Sequence, residues 1–160
     1  MHAAPKVASV WLFKPLADSL ARLIAHLRTR TEFDAVFAGG VVGKTPHFVL
    51  HYVLHTTQGS EAQAAADKSI TVGAVLPKRW AKRAVTRNTL KRQIYAVSES
   101  LASRLVPGCY IVRLRSEFSR KEFTSATSDA LKHAARSELH TLLGTRLVTA
   151  VFAVARSLAI

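Results

Sequence analysis

The chain has 160 residues, 49% of them hydrophobic, and a formal net charge of +13 at pH 7. That length suits one domain with a real core, and the apolar share excludes disorder of the chain as a whole. A charge this one-sided opposes folding through self-repulsion and calls for a polyanionic partner, nucleic acid ahead of an anionic membrane surface. The single cysteine, Cys109, excludes an intramolecular disulfide and fits a reducing cytoplasm. Lys14, Pro15 and Asp18 interrupt the apolar N-terminal stretch, which does not read as a signal peptide, and Arg156 interrupts the C-terminal one. No apolar run approaches the roughly 20 residues that span a bilayer, so stable membrane insertion is not expected.

In chain order, residues 1–28 read as an extension. Leu16, Leu20, Leu23, Ile24 and Leu27 have the spacing of a helix over 16–27. A helix is expected from Thr31 through EFDAVF, with Phe33 and Phe37 on one face, ended by Gly39 and Gly40. HFVLHYVLH, residues 47–55, reads as a strand: Phe48, Leu50, Tyr52 and Leu54 share one face, and His47, Val49, His51, Val53 and His55 the other. A polar loop over 56–69 leads to a strand over 69–76, then a basic segment, a Pro107-Gly108 turn and the strand CYIVRLR. A final helix is expected over 120–143, anchored by Phe123, Leu131, Leu139, Leu142 and Leu143. The order helix, strands, helix, strand, helix describes an α+β fold, a two-layer α/β sandwich with one sheet and helices packed on it.

The three histidines of the first strand do not make a metal site. Residues four apart on a strand are roughly 13 Å apart, too far for one ion with bonds near 2 Å. They form a ring-bearing surface or simply face solvent. No Ser-His-Asp set, P-loop, dinucleotide turn or paired carboxylates stand out, so catalytic residues in this chain are not expected.

The informative stretch is PKRWAKRAVTRNTLKRQIYAV, residues 77–97. Lys78, Arg79, Lys82, Arg83, Arg87, Lys91 and Arg92 fall within it, with no carboxylate. Leu90, Ile94, Val97 and Leu101 form an apolar stripe that belongs on the sheet. Arg87, Asn88, Lys91 and Arg92 occupy another face, where like charges one turn apart repel by a few tenths of a kcal/mol. An anion on that face relieves the repulsion. Arginine supplies a planar fork for phosphate, Asn88 can bond sugar or base, and Trp80 can stack on a base or anchor its loop.

These residues resemble a family. A strand, a basic loop, Arg87-Asn88-Thr89-Leu90-Lys91-Arg92 on a helix, then Pro-Gly and a strand are similar to the protein subunit of bacterial ribonuclease P. EFDAVFAGG and PHFVL resemble that family's first helix and first strand, and the likeness spans residues 29–143, with 144–160 an apolar C-terminal extension. The resemblance implies an α/β sandwich with a left-handed βαβ crossover. It implies a ribonucleoprotein endonuclease whose RNA subunit, with Mg²⁺, removes the 5′ leader from precursor tRNA. One protein per RNA is expected, acting in the cytoplasm. By the same resemblance Lys78, Arg79, Lys82, Arg83, Arg87, Asn88, Lys91 and Arg92 contact the RNA subunit, and Phe33, Phe37, His51 and Arg115 line a leader-binding cleft. The chain departs from the family pattern at Thr89, where arginine is usual, and at His51, where tyrosine is common. Two other readings of the charge are a ribosomal or assembly RNA-binding module without a role in tRNA cleavage, and a membrane-surface protein.

Overall fold

The computed structural model describes residues 24–54, 69–125 and 127–146. Most of the two expected extensions, the loop over 56–68 and His55 lie outside them. A five-stranded sheet is built from β1 (Ile24–His26), β2 (Val41–Lys44), β3 (Phe48–Val53), β4 (Ile70–Val75) and β5 (Gly108–Leu114), in the order β1-β4-β5-β3-β2. β1 and β5 run parallel to β4, while β3 is antiparallel to both β5 and β2. The apolar spacing that predicts a helix over 16–27 fails at its end. Ile24, Ala25 and His26 pair with Ile70, Thr71 and Val72, because parallel pairing satisfies their backbone and lets Leu27 enter the core. The sheet therefore reaches back before residue 29.

Among the described residues three helices cover the sheet: α1 (Arg30–Ala38), α2 (Ala84–Ser100) and α3 (Asp129–His140), the last running into a π-helical turn at Thr141–Arg146. The final helix is shorter than expected. Ser128 caps it by accepting from the Leu131 N–H, and the chain before it turns back on itself at Ser119, which accepts from Glu122 and Phe123. Leu131, Leu139, Leu142 and Leu143 are buried as their spacing predicts.

Period two splits the sheet into two faces. Phe48, Leu50, Ile70, Val72, Tyr110, Val112 and Leu114 meet Leu90, Ile94 and Val97 of α2 and Leu131 and Leu139 of α3 in one cluster. This is the expected sandwich. α1 lies across the other face, where Val36 and the half-buried Phe33 and Phe37 pack on Leu27, Ile111, Val53 and Val75. His47 does not share the face of His51. It precedes the strand proper, stacks on Phe118 with ring centroids 4.0 Å apart, and meets Glu138 of α3 through both its backbone N–H and Nδ1.

The hand of the β4–α2–β5 crossover follows from strand stereochemistry. An L-residue on an upward strand, with its side chain toward the viewer, turns its own N–H and C=O to the right. Val72 faces α2, and its carbonyl accepts from Leu27 N–H just past β1 at 3.1 Å. Viewed from α2, β1 is therefore right of β4 and β5 is left. A path that rises on β4, descends in front through α2 and rises again to the left is left-handed, against the usual rule.

Candidate nucleic-acid interface

The basic segment folds in two parts. Residues 78–80 form a turn in which Trp80 and Ala81 both donate to the Pro77 carbonyl at 3.1 Å. α2 then starts after Arg83, which makes no side-chain cap bond, and its first turn holds no acidic residue. The electropositive end of α2 is left without a capping side chain from the loop.

Along α2, Leu90, Ile94 and Val97 are buried while Asn88, Lys91 and Arg92 are exposed on the outer side. None of the seven cations from Lys78 to Arg92 forms an ion pair with a described residue. The ion pairs lie elsewhere, at Arg30–Asp34, His47–Glu138, Arg120–Glu117 and Lys132–Asp129. Arg87 differs from its neighbours. It is half-buried, and one terminal nitrogen donates to the carbonyls of Ala81 and Lys82, both at 2.8 Å. It ties the basic loop to the helix. Beyond Lys91, whose ammonium lies 5.9 Å from the Tyr95 ring centre, Tyr95 stacks on His26 at 4.0 Å, so the surface continues to the β1 edge.

Thr89 is buried, 8% exposed, and so is Gln93 one turn on. Gln93 accepts from Nε of the exposed Arg136 on α3. Arg136 thus adds a cation beside α2 that sequence reading missed. Only the packing of α3 on α2 brings the two together, and no local pattern signals it.

On the opposite face, α1 is held by a capping box: the Thr29 hydroxyl accepts from Glu32 N–H, and the Glu32 carboxylate accepts from the N–H groups of Thr29 and Arg28. The backbone bonds from Thr29 and then Arg28 hold the Glu32 carboxyl below its usual range. Gly73 lets α1 approach β4, since a Cβ there would stand 2.7 Å from the Phe33 ring and 2.8 Å from Leu27. Gly40 ends the helix with φ +87°, a backbone that favours glycine.

His51 lies beneath α1 rather than at the surface. It is 7% exposed and meets the edge of Phe37 with ring centroids 4.8 Å apart. Neither ring nitrogen makes a hydrogen bond of good geometry with a described residue. Burial pushes its pKa down, the nearby Gly40 backbone opposes that in part without completing a bond, and the charge of Arg113 adds to the lowering. Arg113 is a cation on this face: it is half-buried and opposite Val49, two pairs along from where His51 faces Ile111. Alternation in CYIVRLR sets Arg113 and Arg115 on one face and does not separate them, and the family resemblance points to Arg115. Arg115 lies past the strand, its N–H bonded to His47, and it lines a depression with Lys44, Ser137 and Glu138. Phe33, Phe37 and His51 are therefore brought together, and Arg115 is not brought to them.

A family model described as Ribonuclease P matches residues 24–138. The chain belongs to the ribonuclease P protein family. It is 32% identical over 115 residues to the ribonuclease P protein component of Ralstonia pickettii, covering 72% of this chain and 74% of that protein. The component from Bordetella parapertussis is 34% identical over 117 residues, covering 72% and 85%. Among solved structures, the RNase P protein of Thermotoga maritima matches with TM-score 0.55 and 22% identity over 74% of this chain and 94% of that one. The Staphylococcus aureus protein gives TM-score 0.55 and 17% identity over 76% and 96%. These two likenesses concern the fold, mixed α+β with one five-stranded sheet and three helices among the described residues. The family match begins at β1, in agreement with its place in the sheet.

Among the described residues no group of three or more His, Cys, Asp or Glu is placed to hold a metal ion. No helix among those residues is long and apolar enough to cross a membrane.

Proposed function

We propose that this chain is the protein subunit of a ribonuclease P ribonucleoprotein in the cytoplasm, one copy per catalytic RNA. The catalytic RNA lies on the outer face of α2 and on the basic loop. The 5′ leader of precursor tRNA runs past Phe33 and Phe37 toward Arg113. Hydrolysis belongs to the RNA and its Mg²⁺. The protein neutralises phosphates so that two polyanions approach, and so lowers the Mg²⁺ needed.

The observation that carries this reading is the outer face of α2. Asn88, Lys91 and Arg92 stand exposed without a carboxylate among the described residues, beside a loop braced by Arg87. Leaving such charges side by side is unfavourable without an anion to share. Family membership supports RNA as that anion. The test is affinity for the catalytic RNA. Lys91→Ala and Arg92→Ala should each weaken assembly by on the order of 1 kcal/mol or more, and unchanged affinity in both would remove the assignment.

A further inference from the structure

Beside the α2 face is a cavity whose interior the RNA contacts above do not use. It lies between the basic loop, the first turns of α2, the segment after β5 and the start of α3. Its apolar lining includes three aromatic residues: Trp80, Phe118 and Phe123. Phe118 and Phe123 meet edge to face with centroids 5.7 Å apart, which fixes one wall. The guanidinium of Arg79 lies 5.4 Å from the centre of Trp80. The rim carries Lys82, Arg83 and Arg120. Glu117 also lines the cavity, and its carboxylate is 3.7 Å from Arg120. The cavity is open to solvent at its mouth, with a volume of about 70 Å³. That holds on the order of five waters, room for part of a nucleotide and not for a whole one.

We propose that this cavity takes a single unpaired base from RNA bound on the α2 face, with the flanking phosphates on Lys82, Arg83 and Arg120. Two features argue for a base. Aromatic walls offer stacking to any nucleobase, and three cations at the mouth suit the phosphates on either side of an everted nucleotide. The hydroxyls of Thr86 and Ser125, both in the lining, can bond a base edge. An apolar peptide side chain would use the walls but not the cationic rim. The inference rests on the α2 face binding RNA and adds that the bound RNA is unpaired beside Trp80.

The test uses the full chain with Trp11→Phe, which leaves Trp80 as the sole tryptophan of the two present. A ten-nucleotide oligouridylate should quench Trp80 emission. Ser125→Phe fills the cavity without changing charge. It should abolish the quenching and weaken oligouridylate binding on the order of tenfold, while binding of a fully paired RNA duplex stays unchanged. Thr86→Phe fills the same space from α2 and gives the same reading should Ser125→Phe fail to fold. No quenching in the parent, quenching that survives both substitutions, or equal losses for oligouridylate and duplex would overturn the proposal. Lys91→Ala and Arg92→Ala report separately on the cationic face through duplex binding, so a failed cavity and a failed α2 face give different results.

Discussion

Arg87 and Lys91 are one turn apart on α2, yet their surroundings assign them different tasks. Lys91 is exposed, and its loss should remove one phosphate contact. Arg87 holds the carbonyls of Ala81 and Lys82, so Arg87→Ala should release the basic loop as well. Arg87→Ala is therefore expected to weaken RNA binding more than Lys91→Ala, and to speed proteolysis between Lys78 and Arg83. Equal protection of that loop in the two variants would count against the brace. His51 carries a pH prediction. Its folded pKa is lowered, chiefly by burial, so the unfolded chain takes up the proton first as pH falls below about 6.5. Stability from a neutral His51 is complete above that pH and declines below it. His51→Phe should flatten part of this decline when urea unfolding at pH 7.5 and pH 5.5 is compared. An identical decline in both proteins would show that His51 is not the group responsible.

At the level of elements, α1, docked on β3 and β5 with Phe33 over Gly73 of β4, controls the proposed leader cleft. Phe33→Ala should weaken precursor tRNA binding and spare mature tRNA, whereas equal losses for both would refute a leader contact. Gly73→Ala should have a similar effect, because a Cβ there drives the Phe33 ring from its seat while the strand pairing remains. These elements also mark where the sequence was legible. The α2 stripe and the α1 boundaries could be read directly, since each depends on spacing, caps and glycine breaks within a few residues. β1 could not: Ile24 and Leu27 carry helical spacing, and only the partner strand β4, more than 40 residues on, makes this stretch extended. The α2 cations were legible for the same local reasons as the stripe. Arg113 and Arg136 were not picked out, because their roles come from a cross-strand neighbour and from helix packing.

For the whole molecule, a net charge of +13 implies a steep salt dependence. If the seven cations from Lys78 to Arg92 all meet phosphates, log K for RNA should fall against log salt with a slope of about −6. Each alanine substitution on the face should reduce that slope by about one. A slope near zero would mean that the charge serves something other than RNA. The left-handed β4–α2–β5 path matters at this scale too. It sets α2 and its cations on the face opposite α1, so catalytic RNA and leader would approach from two sides of one sheet. The most direct measurement is cleavage of a 5′-labelled precursor tRNA by a bacterial ribonuclease P RNA at low Mg²⁺, with and without the full chain. Strong stimulation with the cut at the mature 5′ end is the expected result, and tight RNA binding without stimulation would contradict the proposed role.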